Sequence, residues 1–250
     1  MRVVALLFAL AACGRVDFAE RTFDAAPDSV TGHDEDGDGI PDTLDPCPHV
    51  AGTTLDTDSD GVGDDCDPNP TTPSEHWVLF ATMQPGETGF DDSSMFLQEA
   101  DSLRSTNVAA PYVTLPLGKV RIDMGWEVHA VVGTGQHQVA LGVDEDAGVT
   151  DYYFAELNDN MGFHDAAIVQ YDTMTFMYTQ IDPMDPGPFH TGTGLTRLDC
   201  DTTHHLLTGW TGQMYTLTAA TPSYQGGQGI RFALNGIDVS IDYLAVIATN

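Results

Sequence analysis

The sequence predicts an all-β fold of two packed antiparallel sheets, and three observations carry that expectation. From Trp77 onward, short apolar runs rich in β-branched and aromatic residues are separated by Gly, Pro, Asn and Asp. Within the runs, large apolar side chains alternate with polar or small ones, as in Tyr215-Thr216-Leu217-Thr218 and Ile230-Arg231-Phe232-Ala233-Leu234, so they collect on one face of a sheet. No uninterrupted stretch keeps a 3.6-residue period over three turns, which argues against a helical bundle or an alternating α/β chain. Strands are expected at residues 128–132, 138–143, 152–157, 173–179, 214–219, 229–234 and 239–247, with a further one around Leu198-Asp199-Cys200. Many short strands at this spacing fit a sandwich occupying residues 76–250.

The segments before the sandwich have separate explanations. Arg2 followed by the apolar run of residues 3–10 is too short to span a bilayer and reads as a signal peptide, residues 1–12, to be excluded from the fold. The run ends in Leu10-Ala11-Ala12-Cys13-Gly14, which resembles the lipobox of bacterial lipoproteins. That resemblance implies export, lipidation of Cys13 and anchoring in the cell envelope, at the outer membrane or cell surface. Residues 13–33 carry little periodic hydrophobicity and are expected to form a flexible tether behind the lipidated end.

Residues 34–67 are acidic and internally repeated. The 250-residue chain has a formal net charge of -30, and no Lys or Arg occurs between Arg21 and Arg104. Phosphate neutralisation needs basic residues, so nucleic acid is excluded as a partner. Such a run of carboxylates either stays extended and solvated or gathers around a cation.

The spacing favours the cation. Asp34, Asp36, Asp38, Asp42 and Asp45 occupy positions 1, 3, 5, 9 and 12 of a twelve-residue loop, and Asp56, Asp58, Asp60, Asp64 and Asp67 repeat the pattern. Gly39 and Gly61 stand at position 6, where a sharp turn is needed, and the backbone carbonyls of Ile40 and Val62 at position 7 are expected to add a ligand each. Ca²⁺ takes about six to eight oxygens, which this pattern supplies; Mg²⁺ wants a smaller octahedral shell, and Zn²⁺ wants His or thiolate. An EF-hand or a dockerin needs a helix after each loop, and Pro46 and Pro48 obstruct one after the first.

The segment closely resembles a pair of thrombospondin type 3 repeats, matching from Asp34 through Asp45-Pro46-Cys47-Pro48 and again from Asp56 to Cys66-Asp67. The resemblance implies calcium-wrapped chain with almost no hydrophobic core and a disulfide between Cys47 and Cys66. Pro46 departs from the Asn usual in that family. With Cys13 lipidated and Cys47 paired with Cys66, Cys200 remains as a buried small hydrophobe. Residues 68–75, with Pro68, Pro70 and Pro73, are expected to form a stiff linker, so that calcium makes the repeats a rigid spacer presenting the sandwich.

The sandwich itself resembles the concanavalin A-like and laminin G-like jelly rolls. The likeness rests on residues 128–157, Gly226-Gly227-Gln228-Gly229-Ile230-Arg231-Phe232 and Ile241-Asp242-Tyr243-Leu244-Ala245-Val246-Ile247. It implies a final strand returning beside the N-terminal one, and a glycan or surface protein as ligand. The ExDxxE pattern of the related glucanases is absent, and the nearest imitation, Glu156 with Asp159, is compromised because Asn158-Asp159-Asn160 reads as a turn. Adjacent His204-His205 face opposite ways on a strand and cannot share a metal; they and His164-Asp165 are expected in polar loops. Asp144-Glu145-Asp146 fits a third calcium site and a solvated turn equally well, and Trp77, Trp126 and Trp210 are expected in core packing. The expectation is therefore a non-enzymatic, calcium-binding envelope lipoprotein with an adhesive sandwich; the alternatives are a secreted carbohydrate-active hydrolase with an unrecognised carboxylate pair and a purely structural envelope protein.

Overall fold

A computed structural model describes residues 32–85, 96–105, 112–144, 151–160, 163–172, 177–201, 203–220 and 227–250. The signal peptide, Cys13 and the tether up to residue 31 lie outside the described residues, as do Glu145, Asp146 and residues 173–176.

Fourteen strands and no helix occur among the described residues. In chain order they are β1 (Glu75–Ala81), β2 (Leu97–Gln98), β3 (Leu103–Ser105), β4 (Tyr112–Leu117), β5 (Lys119–Val131), β6 (Gln136–Asp144) and β7 (Asp151–Asn160). They continue as β8 (Phe163–Asp172), β9 (Met177–Met184), β10 (Gly192–Cys200), β11 (Thr203–Trp210), β12 (Gln213–Ala220), β13 (Gly227–Asn235) and β14 (Ile237–Thr249).

They form two sheets whose pairings are all antiparallel. One has eight strands in the order β12-β11-β10-β5-β14-β3-β2, with β1 also paired to β14; the other has six, β4-β13-β6-β7-β8-β9. The long β14 is shared along its length, pairing with β3 through Val239 to Ile241 and with β1 through Leu244 to Thr249. The expected return of the last strand beside the first is thus observed.

The inner faces meet in one core. Val120, Ile122, Met124, Trp126 and Val128 of β5 point in at every second residue, and Leu157 and Ala155 of β7 with Ile168 and Ala166 of β8 answer from the other sheet. Trp126 is fully buried, stands edge-on to Trp210 and donates its Nε1–H to Thr196 Oγ1 at 3.1 Å. Cys200 is buried in the same core. Opposite Trp126 sits Gly194, where a Cβ would run into the indole ring and the Gly209 carbonyl oxygen. Gly194→Ala is therefore expected to cost about 1–3 kcal/mol of stability, read as a lower midpoint in thermal denaturation, because the ring has nowhere to retreat.

The acidic segment does not stand away from the sandwich as a spacer. It folds back onto the outer face of the eight-stranded sheet, where a small second core joins Cys47, Val62 and Cys66 to Ile247 of β14, with Val50 and Trp77 packed against it. The His49 side chain is fully buried, its Nε2 lies 2.8 Å from Asp123 Oδ2 on β5, and it packs against Trp77, Phe80 and Tyr243. Arg197 of β10 clamps the same Asp123 through Nε at 2.7 Å and through a second guanidinium nitrogen. Arg121, paired with Asp199, also donates from Nη1 to the Cys66 carbonyl at 3.1 Å. Near the start of the segment His33 meets Asp101 at 2.8 Å. Apolar burial and these ion pairs hold down a chain that its own negative charge would otherwise extend.

Candidate functional site

The two acidic loops have the same internal construction. Asp34 Oδ1 and Oδ2 accept the Gly37 and Gly39 amides at 2.9 Å each; Asp56 accepts those of Ser59 and Gly61 at 2.7 and 3.0 Å. Left-handed backbone occurs at position 4 as well as position 6: φ is 74° at Gly37, 95° at Gly39, 67° at Ser59 and 98° at Gly61. The glycines at position 6 meet that need without steric cost, whereas Ser59 adopts it under strain.

These turns gather the carboxylates of positions 1, 3 and 5. One ligand oxygen each from Asp34, Asp36 and Asp38 lies within 4.8 Å of the others, and Asp56, Asp58 and Asp60 form the equivalent group. At position 12, Asp45 and Asp67 accept the Cys47 and Asn69 amides on Oδ1, at 2.8 and 2.6 Å. Their Oδ2 atoms are buried with no hydrogen-bond partner, as is Asp36 Oδ2. Asp58 makes no full hydrogen bond through either oxygen. An orphaned buried carboxylate oxygen is costly, and its recurrence at positions 3 and 12 of both loops fits a hard cation as the missing partner.

Titration agrees. Burial first, and then the neighbouring carboxylates, raise Asp36, Asp45 and Asp58 above the usual carboxylate range and push Asp67 up to about 6.

The position-9 carboxylates also brace the loop. Asp42 Oδ1 takes the Glu35 amide at 2.9 Å and its Oδ2 takes His33 Nδ1 at 2.6 Å, while Asp64 takes the Thr57 amide and hydroxyl at 2.7 and 2.6 Å. Position 7 is similar in both loops: the Ile40 and Val62 amides donate to Asp38 and Asp60 at 2.8 and 3.0 Å, and the Val62 side chain is buried. Cys47 and Cys66 form the disulfide expected of them, with Cα atoms 5.6 Å apart, and so join the exit of the first loop to the second.

A second feature lies on the opposite side of the sandwich. A groove of about 740 Å³ on the outer face of the six-stranded sheet is lined by Gln136, Asn158, Asn160, Phe163, Gln180 and Asp165, among others. The residues at 158–160 were expected in a turn, but β7 runs on to Asn160, which pairs with Phe163. Strand pairing on both sides overrides the turn preference of Asn and Asp. Alternation then separates Glu156 from Asp159, which faces His137 and His164 at 3.6 and 3.7 Å.

Asp165 of β8 has Glu156 close enough to influence its carboxyl. Burial is the largest influence on Asp165 and raises it above the usual range. Both are nearly inaccessible, at 1% and 8% exposure, and both are held by amides: Gln138 donates to Glu156 at 2.7 Å, Asn158 to Asp165 at 3.0 Å, and Gln180 to Asp165. Phe163, 80% exposed, stands at the groove's edge.

His204, His205, His164 and Asp165 all lie on strands, β11 and β8, rather than in loops. His204 is buried against the Asp201 carbonyl at 2.9 Å, and burial lowers it to about 4; His205 is exposed beside Thr218 at 3.1 Å. Their opposite facing is as expected.

No protein-family profile and no curated protein matches the chain. Solved structures do resemble it. The CBM2 module of the evolved Dit of Lactobacillus casei BL23 phage J-1 has a TM-score of 0.54 at 8% identity, over 71% of this chain and 97% of that one. Peanut lectin with a nine-residue peptide has 0.51 at 7%, over 70% and 97%. A structure from human gut microbiota that express endo-acting O-glycanases to initiate mucin breakdown has 0.51 at 8%, over 70% and 100%. At such identities the likeness is one of fold, and that fold is the jelly-roll β-sandwich shared by lectins and carbohydrate-binding modules.

Proposed function

We propose that the protein is an exported, lipid-anchored, calcium-binding module that binds glycan through the groove of its jelly roll. The observation that carries the glycan reading is the lining of that groove. Side-chain amides of Gln136, Asn158, Asn160 and Gln180 line it together with the Asp165 carboxyl that Asn158 and Gln180 hold, and an exposed aromatic ring, Phe163, stands at its edge. Planar amides offer paired donors and acceptors to sugar hydroxyls, and an aromatic face stacks on the apolar side of a pyranose ring.

Ca²⁺ is proposed for the two acidic loops. Asp34, Asp36, Asp38 and Asp45 would hold one ion, and Asp56, Asp58, Asp60 and Asp67 the other. The bound ion supplies positive charge that offsets the repulsion among these carboxylates. The orphaned oxygens at positions 3 and 12 support this, and the Cys47–Cys66 link supports reading the segment as thrombospondin type 3 repeats. Cys13 is the proposed lipid attachment, placing the module at the cell envelope. The acidic segment holds the sheet it covers; it does not set a distance.

A second reading, glycoside hydrolysis, is favoured by one observation, the Glu156 and Asp165 carboxyls beneath the groove. Their burial and their occupation by side-chain amides argue against it, since glycosidases need both carboxyls open to the substrate. Glycan-array screening of the full chain followed by calorimetry separates the readings. Binding without turnover, weakened about tenfold or more by Phe163→Ala (about 1.4 kcal/mol), is expected. Turnover of a polysaccharide that disappears in Glu156→Gln would replace binding with catalysis.

A further inference from the structure

We infer that Glu75, the first residue of β1, completes the calcium site of the second loop, so that repeat and sandwich hold one ion jointly. The inference deepens the calcium reading proposed above and rests on it. Asp60, Asp67 and Glu75 each bring a carboxylate oxygen within 4.8 Å of the other two. Glu75 is 3% exposed and Asp67 7%, and no Lys or Arg forms an ion pair with any of the three among the described residues. Three like charges are thus collected in a nearly dry place.

The second observation is a donor atom in want of a partner. Asp67 Oδ1 is satisfied by the Asn69 amide at 2.6 Å, but Oδ2 is buried and unpartnered. The other members are held in place around it: Asp60 takes the Val62 amide on Oδ1 and the Glu75 amide on Oδ2 at 2.7 Å, and Glu75 Oε2 takes the Ser74 hydroxyl at 2.8 Å.

Comparison of the loops shows what Glu75 adds. In the first loop the position-5 carboxylate, Asp38, reaches forward to the Gly52 amide at 3.3 Å, as Asp60 reaches forward to Glu75. At that equivalent point the first loop offers a glycine and the second a carboxylate. Affinity for Ca²⁺ rises with the number of charged ligands, so the second loop is the tighter site and the first the weaker. Glu75 escapes a reading by loop spacing because it lies beyond the twelve-residue pattern, in the first strand of the sheet.

Calorimetric titration of the metal-free full chain with Ca²⁺ tests this, alongside Glu75→Gln and Asp34→Asn. The wild type is expected to show two affinities; Glu75→Gln weakens the tighter by about tenfold or more and leaves the other, and Asp34→Asn does the reverse. Unchanged binding by a folded Glu75→Gln would overturn the inference while leaving the calcium reading intact. No binding by the wild type would overturn both. Should Glu75→Gln not fold, hydrogen exchange on the wild type decides: calcium should slow the amides at the start of β1, and protection ending at Asp67 would refute the shared site.

Discussion

Removing calcium from the full chain is expected to lower its thermal midpoint by about 10–20 °C. At an ion concentration a hundredfold above the dissociation constant, each site stabilises the folded state by about 2.7 kcal/mol, so two sites give about 5 kcal/mol. For a chain of this size each kcal/mol moves the midpoint by about 2–4 °C. The loops pass this on to the sandwich because the segment is docked through its own small core and the buried His49. Calorimetric scans with and without Ca²⁺ provide the check, and coincident transitions would refute calcium binding by the loops.

The same experiment has a pH signature of opposite sign in the two states. In the metal-free protein Asp67 is pushed up to about 6, and Asp36, Asp45 and Asp58 are raised. A folded-state value above the unfolded one means that the folded protein binds more protons, so its stability falls as pH rises from about 4 to 6 and is regained on acidification. The calcium-loaded protein behaves oppositely over that window, because protons there displace the ion. Midpoints measured at several pH values on metal-stripped and calcium-saturated protein should therefore converge as the pH falls.

Asp123→Ala is expected to destabilise the fold by about 3–5 kcal/mol, the usual cost of removing one partner from a buried charged group. Asp123 is 1% exposed. Burial alone would raise its pKa, yet the hydrogen bonds from His49 and Arg197 hold it down to about 2. The substitution strands the Arg197 guanidinium and releases His49, so the acidic segment should lift from the sheet. Thermal denaturation reads the loss, and a red shift in tryptophan emission reports Trp77, whose ring centroid lies 5.8 Å from that of His49. A coupling of about 0.5–3 kcal/mol in a double-mutant cycle with His49→Ala would assign the effect to this contact.

Both predictions depend on the acidic segment, and they show where the sequence could and could not be read. The loops were legible because their spacing repeats: glycine at position 6 marks a left-handed turn, and the aspartates at positions 1, 3 and 5 are the carboxylates those turns gather. Ser59 at position 4 concealed a second left-handed residue, since serine carries no such signal. Strands with clean alternation, such as β12 and β13, were found. The strand β8 was missed because Ala166, Ala167, Ile168 and Val169 are all fully buried, which removes the alternation that marks a half-exposed strand. On β5 and β10, Arg121, Asp123, Arg197 and Asp199 resemble an ordinary solvated face. Their role appears only when the cross-strand register places Arg197 opposite Asp123 and Asp199 opposite Arg121. The docking of the loops, and with it Glu75 and the groove carboxyl Asp165, depends on contacts that no local pattern encodes.

The acidic loops lie behind one sheet and the groove opens before the other, with the whole thickness of the sandwich between them. Were the chain attached through Cys13, as proposed, the point of attachment would lie on the side of the loops and the groove on the far side. A large ligand could then reach the groove without meeting the surface that carries the protein.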